Sequence, residues 1–388
     1  MPLIPEIEAF EDDLIAWRHD FHAHPELGFE EVRTSGIVAE KLASWGIEVT
    51  RGLGKTGVVG VLKGSRPGKT IGLRADMDAL PMEEQTNLPY ASKTPGLFHG
   101  CGHDSHTTML LGAARYLAEN RDFAGTAVFI FQPAEEGLGG ARAMIADGLF
   151  EKFPLDEIYG MHNAPEDEPG RLGIKPGVAM AGASFFDITI TGRGSHAASP
   201  ENSRDPLVAA SSLVGELQTI VSRNVAPTDR AVLSVTRIAS GTAYNIVPET
   251  AELAGTIRYL DRETGAKIAH RIEKICEGWA IAHEMEIDVK IWNVFDVLQN
   301  DAALAEGVVE IAKKVLPAKD VYVKDQYVMA SEDMADMLAV VPGAYFTLGH
   351  KGDMPLHNPA FVLDDGILTQ GATMFARLVQ VRGVAEAA

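Results

Sequence analysis

Residues 105–161, SHTTMLLGAARYLAENRDFAGTAVFIFQPAEEGLGGARAMIADGLFEKFPLDEIYGM, decide the fold. Apolar positions recur at helical spacing from about Ser105 to Asn120 and form a nearly continuous run from Thr126 to Gln132. Helical spacing returns from Gly139 to Asp147, and a second β-rich run follows from Glu157 to Met161. Such an alternating β/α order predicts a mainly parallel sheet covered by helices on both faces. In sheets of this kind ligands sit at the loops off the strand ends.

Upstream, Pro5 through Trp17 to about His22 has helical spacing, and Thr34 to Trp45 gives a second helix stopped by Gly46. GVVGVLKG (57–64) and TIGLRADMD (70–78) are short β-rich runs separated by SRPGK, which reads as a hairpin turn. GSRPGKT (64–70) is one residue short of a phosphate loop and leads into a strand rather than a helix, so that reading is rejected. Downstream of about Ser184 the order becomes FFDITITGRG (strand), Arg204 to Val221 (helix), AVLSVTRIAS and ETAELAGTIRYL (strands), Arg262 to His283 (helix) and EIDVKIWNVF (strand). This β-α-β-β-α-β order predicts a ferredoxin-like four-stranded sheet with two helices on one face. After about Phe295 the α/β pattern resumes, so the expected organisation is an α/β domain, 1–183 and 295–388, interrupted by a smaller one, 184–294.

A chain of 388 residues exceeds the usual size of one hydrophobic core, and 46% apolar with 23% charged residues argues against disorder. A net charge of −20 and a pI near 5.0, with no basic run, exclude nucleic acid and anionic membrane as expected partners. Met1 to Asp13 carries five acidic residues and no basic leader, and no stretch approaches the roughly 18 apolar residues of a spanning helix. A cytoplasmic location is expected. Two distant cysteines stay reduced there. Cys276, on an apolar helical pattern, reads as a buried small hydrophobe.

Cys101 is different, because it stands between glycines in HGCGHDSH (99–106). In an extended segment Cys101 and His103 point to the same side. A thiolate with an imidazole suits zinc, nickel or cobalt, and manganese where carboxylates and water complete the set. Taken alone, C-x-H is a weak signal. Glu135 and Glu136 follow a very apolar strand; neighbouring side chains diverge, so one can bind a metal while the other faces water or substrate. An isolated pair of glutamates reads as a solvated loop. His162 and His357 each lie beside an Asn at an expected strand end or loop. Separate strand ends offering Cys/His, Glu, His and His converge on one rim of a parallel sheet. His19, His22 and His24 form a cluster in WRHDFHAHPELG, but Pro25 ends the helix there and they read as structural.

Taken together, HAHPELGFEE (22–31), RADMDALP (74–81), HGCGHDSHT (99–107), FQPAEEG (131–137), MHN (161–163), GRGSHAASP (192–200), NIVPE (245–249), GTIR (255–258), SEDM (331–334) and HNPAF (357–361) resemble one family. It is the metal-dependent amidohydrolase family of hippurate hydrolases, bacterial N-acyl-amino-acid amidohydrolases and plant auxin-conjugate hydrolases. The similarity covers nearly the whole chain. It implies a zinc-peptidase-like α/β catalytic domain with an inserted ferredoxin-like lid, a homodimer formed through that lid or a higher homo-oligomer, and two divalent ions (manganese, zinc, nickel or cobalt).

By the same resemblance Cys101, His103, Glu136, His162 and His357 bind the metals and Glu135 is the general base. The base takes a proton from the attacking water and returns it to the leaving amine. Asp76 is implied as a carboxylate orienting a metal ligand. The lid is implied to supply His196 to the tetrahedral oxyanion, and Asn245 and Arg258 to the substrate, Arg258 gripping its α-carboxylate. Residue by residue, His196 also reads as a turn histidine and Arg258 as half of a strand-edge ion pair. Arg74 stands where more distant peptidases have a metal-binding His, which argues against cleavage of long peptides.

The expected reaction is hydrolysis of a small N-acyl or N-aroyl amino acid. A dipeptidase or aminopeptidase of the same fold is the nearest rival. From another class, the rival is a catalytically silent metal- or carboxylate-binding protein, against which retention of Glu135 argues.

Overall fold

The computed structural model describes residues 3–385. In chain order its elements begin α1 (Pro5–Glu8), α2 (Glu11–Ala23), α3 (Val32–Ser44), β1 (Glu48–Leu53), β2 (Gly57–Lys63), β3 (Arg66–Asp76), α4 (His103–Glu119) and β4 (Ala124–Gln132). They continue through α5 (Gly140–Ala146), α6 (Leu149–Lys152), β5 (Glu157–Ala164), β6 (Leu172–Ile174), β7 (Gly177–Met180), β8 (Gly182–Thr191), β9 (Ser195–His196) and α7 (Pro206–Asn224). Then follow β10 (Ala231–Ser240), β11 (Ile246–Val247), β12 (Thr250–Tyr259), α8 (Arg262–His283), β13 (Glu286–Phe295) and β14 (Leu298–Asn300). The last are α9 (Ala302–Val315), β15 (Val321–Val323), α10 (Met334–Leu338), β16 (Gly343–Gly349) and α11 (Leu368–Arg382). Contacts divide the chain into two units, residues 1–179, 299–327 and 333–388, and residues 180–298 with 328–332.

The larger unit is built on an eight-stranded sheet, order β1-β2-β4-β3-β5-β16-β6-β15. Its middle, β4-β3-β5-β16, is parallel throughout. Phe129, Ile130 and Phe131 are consecutive on β4 and all fully buried, which requires cover on both faces of the sheet. On β5 the two covers are visible residue by residue. A Cβ at Gly160 would strike Met334 of α10, and one at Gly371 of α11 would strike the next residue along β5, Met161.

Two local expectations are corrected. The strands flanking SRPGK form no hairpin, because β4 lies between β2 and β3, pairing antiparallel with one and parallel with the other. The first helix is two, because the chain leaves helical geometry at Phe10 (φ −118°), whose ring is buried in the same core as Ile7 and Leu14.

The smaller unit carries an antiparallel sheet, order β10-β12-β8-β13, with α7 and α8 packed on it. Along β8, Phe186, Ile188 and Ile190 are buried while Phe185, Asp187, Thr189 and Thr191 are exposed, the period-two pattern of a sheet covered on one face. Cys276 is buried on α8. No helix of the described residues is long and apolar enough to cross a membrane.

Candidate metal centre

The site forms at the carboxyl ends of the parallel strands. HGCGHD does not run extended as expected. Gly102 takes a left-handed conformation (φ +83°), and His103 opens α4. A Cβ at Gly102 would lie 2.4 Å from Asn163 Nδ2, so only glycine allows Asn163 to donate to the Cys101 carbonyl at 2.6 Å. Cys101 is thus presented by a turn and His103 by a helix start, while Glu136 follows β4, His162 stands on β5 and His357 lies in the loop after β16.

Five side chains predicted as ligands come together. The donor atoms of Cys101, His103 and His162 lie within 4.8 Å of one another, as do those of Cys101, Glu136 and His357. The two triads share Cys101. His162 Nε2 is 3.5 Å from Cys101 Sγ, and His357 Nε2 is 3.2 Å from Glu136 Oε1. His103, Glu135 and Glu136 form an overlapping group within the same limit.

Backbone carbonyls set the two buried ring tautomers. His103 Nδ1 donates to Asp78 O at 2.9 Å and His162 Nδ1 to Asn163 O at 2.7 Å, so that in the neutral form of each ring Nε2 is the acceptor and faces the cluster. His103 Nε2 is buried with no hydrogen-bond partner. A buried, unpartnered ring nitrogen among a thiol, a carboxylate and two more imidazoles fits a divalent cation, and the mixed S/N/O donors fit a borderline metal.

Charge accumulates accordingly. Burial pushes the Cys101 thiol up, and burial pushes the His162 imidazole down, helped by neighbouring His106. Burial opposes a charge on His103 most strongly of any single cause, but Asp76, Cys101 and Asp78 together outweigh it and raise that imidazole. His357 is pushed up to about 10 by hydrogen bonds to Cys101 and Glu136. Cys101, His103 and His357 thus favour their protonated forms, and a divalent cation held by them would compete with those protons.

Asp76 sits one layer below. Its Oδ1 accepts from His106 Nδ1 at 2.6 Å and its Oδ2 from Arg74 at 2.7 Å, with Oδ2 3.9 Å from His103 Nε2. Burial disfavours its charge, yet His103, Arg74 and His106 together hold it well below the usual carboxylate range. Arg74, fully buried, also donates to Gln132 at 2.8 Å and Asp333 at 2.9 Å. His106 was missed by sequence reasoning. It lies three residues after His103 on α4, and that helical spacing in HDSH was its available signal. Its Nε2 accepts from the Asn163 backbone at 3.0 Å, so both ring nitrogens are occupied within the support. His19, His22 and His24 are engaged by Asp365, by Asp104 with Glu84, and by the Asp20 carbonyl.

In the smaller unit, His196 is exposed on β9, opposite Ile246 of β11. Its Nδ1 accepts from Ala198 N at 3.0 Å, leaving Nε2–H free to donate. The Asn245 carbonyl accepts from Ala197 at 3.0 Å, tying the two segments together. Arg258 is on β12, an interior strand, and its guanidinium donates to the Ile257 carbonyl and to Thr256 Oγ1 with no carboxylate partner among the described residues. The strand-edge ion pair is therefore absent. A cavity of about 390 Å³ on that sheet is lined by Arg258, Thr256, Thr236, Phe185, Trp292 and Asp187, among others.

The chain belongs to peptidase family M20/M25/M40, whose model matches residues 72–381, and it is a hydrolase of that family's amide-cleaving, metal-dependent class. It is 45% identical to a hippurate hydrolase of Campylobacter jejuni subsp. jejuni, over 97% of this chain and 98% of that one. It is 38% identical to an N-acetylcysteine deacetylase of Bacillus subtilis, over 96% and 98%. Among solved structures, a putative aminohydrolase from methicillin-resistant Staphylococcus aureus matches with a TM-score of 0.92 at 31% identity, covering 98% of this chain and 99% of that one. A dinuclear metal-binding M20 peptidase of Bacillus subtilis matches with a TM-score of 0.83 at 35% identity, covering 97% and 99%.

Proposed function

We propose that this protein hydrolyses the amide bond of small N-acyl or N-aroyl amino acids. The observation that carries the reading is the pair of donor triads sharing Cys101, with the Glu135 carboxylate beside His103 and Glu136. Cys101, His103 and His162 would hold one divalent ion, Cys101, Glu136 and His357 the other, with Asp76 and Asp78 orienting the imidazoles. Ions bound there supply Lewis-acid polarisation of the amide carbonyl and acidify water. Glu135, nine-tenths buried and next to a ligand, takes the proton of the attacking water and returns it to the departing nitrogen. The names of the relatives, a hippurate hydrolase and an N-acetylcysteine deacetylase, support the substrate class.

The smaller unit is assigned the substrate's polar groups. His196 Nε2–H donates to the oxyanion of the tetrahedral intermediate, and Asn245 and Arg258 hold the acyl amino acid, Arg258 through its α-carboxylate. Phe185 and Trp292 beside Arg258 offer apolar walls. Asp187 in the same cavity favours a second reading, a dipeptidase, since a carboxylate there would receive a free α-amine. The protein is read as a cytoplasmic homodimer joined through this unit, acting on small molecules.

Release of free amino acid from N-acetyl, N-benzoyl and indole-acetyl amino acids and from dipeptides tests these readings. The apo-protein is reloaded separately with manganese, zinc, cobalt or nickel. Metal-restored cleavage of the acyl amino acids is expected. Activity on dipeptides alone transfers the assignment to a peptidase, and inactivity across the panel favours a binding protein.

A further inference from the structure

The segment HPELGFEE (24–31), whose His24 read as structural, packs against the loop that carries Glu135. Gly28 approaches so closely that a Cβ there would lie 2.9 Å from Ala134 Cα. Leu27 bridges to Ala79, and the Glu26 carbonyl accepts from Ala79 N at 2.9 Å. Glu31, with no exposed surface, accepts from the Ala134 backbone N–H at 2.8 Å through Oε1 and from the Thr56 hydroxyl through Oε2. Two residues on, Glu136 N–H donates to Asp78 Oδ2 at 3.0 Å. Two buried carboxylates thus hold the N–H groups on either side of Glu135. Ala134 is left-handed (φ +55°), a conformation that a non-glycine residue keeps only where its surroundings hold it.

We propose that Glu31 is a positioning residue for the reaction: by holding Ala134 N–H it keeps the Ala134 turn left-handed and so aims the Glu135 carboxylate. The inference rests on Glu135 being the base. Glu31 touches no predicted metal ligand in these contacts, so its loss acts on proton transfer and leaves metal binding and substrate affinity in place. A carboxylate is not itself required. Glutamine can accept from Ala134 N through Oε1 and donate to Thr56 Oγ1 through Nε2.

The test compares Glu31→Leu, Glu31→Gln and Glu135→Gln as metal-loaded enzymes on the best acyl amino acid. For Glu31→Leu the expectation is kcat lower by roughly 10- to 100-fold, KM within about 3-fold, and unchanged metal content by mass spectrometry; the scale is that of one lost positioning contact. Glu31→Gln is expected to recover kcat to within about 5-fold of the parent. Parental kcat in Glu31→Leu, a loss that Glu31→Gln shares in full, or a loss that follows metal content overturns the proposal. If Glu31→Leu does not fold, Thr56→Ala decides instead, with a several-fold lower kcat at full metal content expected and no change overturning it. A fully active Glu135→Gln sinks the base assignment and this inference with it, whereas an inactive Glu135→Gln beside a fully active Glu31→Leu sinks the inference alone.

Discussion

The two units present their candidate functional side chains in opposite ways. In the larger one, every predicted ligand except the half-exposed His357 is buried or nearly so, and each buried imidazole is held on its second nitrogen by a backbone carbonyl. Below them lies a polar layer of Asp76, Arg74, His106, Gln132 and Asp333 in mutual hydrogen bonds. In the smaller unit, His196 and Asn245 stand on exposed short segments, and among the described residues Arg258 is hydrogen-bonded only within its own strand. Chemistry that needs an atom held in place is built where burial makes a wrong position costly. The substrate contacts proposed for His196, Asn245 and Arg258 would form and break at each turnover on surfaces where water can take their place.

The sharpest way to break this contrast is at the base. Glu135→Gln should lower kcat by roughly 10²- to 10⁴-fold while binding the same amount of metal, as read from steady-state kinetics and elemental analysis. Unchanged activity would remove Glu135 from the mechanism.

Next in size is the buried layer. Arg74→Met removes the guanidinium that Asp76 and Asp333 share in the core, and should cost about 3–5 kcal/mol in denaturant unfolding of the metal-loaded protein. A loss below about 1 kcal/mol would mean that the layer tolerates the loss of its guanidinium, against a rigid layer.

His350 tests the same unit by pH. Burial pushes its imidazole down to about 4, and its Nε2 faces Asn163 Oδ1 at 3.1 Å. The unfolded chain takes up this proton near pH 6.5, before the folded one does. The neutral ring therefore contributes stability above pH 6.5 that is lost as pH falls toward 4, about 3 kcal/mol across the window. His350→Gln should flatten the stability profile by that amount between pH 6.5 and 4. Superimposable profiles would refute the assignment.

The smallest effect belongs to the exposed unit. Arg258→Ala should raise KM roughly 10- to 100-fold, the scale of a lost charged hydrogen bond, and leave the thermal transition where it was. A large fall in melting temperature would show that Arg258 supports the sheet, and the contrast between the units would weaken.

Much of this was legible in the chain itself. The α/β alternation over 105–161 and the β-α-β-β-α-β order after Ser184 follow from apolar periodicity, because the side-chain repeat of helix and strand is a local property. Cys101, His103, Glu135, Glu136, His162 and His357 were also visible, as ligand-type residues at element ends within recognisable motifs. What periodicity does not contain is which elements become neighbours. SRPGK has the composition of a hairpin turn, yet β4 enters between its flanking strands, since pairing is chosen by burial over the whole sheet. HPELGFEE carries no signal linking it to residues 134–136, about a hundred positions away; only folding brings Gly28 against Ala134 and Glu31 onto its N–H. Local periods thus determined the elements, and residue types with the family resemblance named the candidate reactive groups. The tertiary structure decided tautomers, the buried charge layer and the support of the base, because each depends on contacts between segments far apart in the chain.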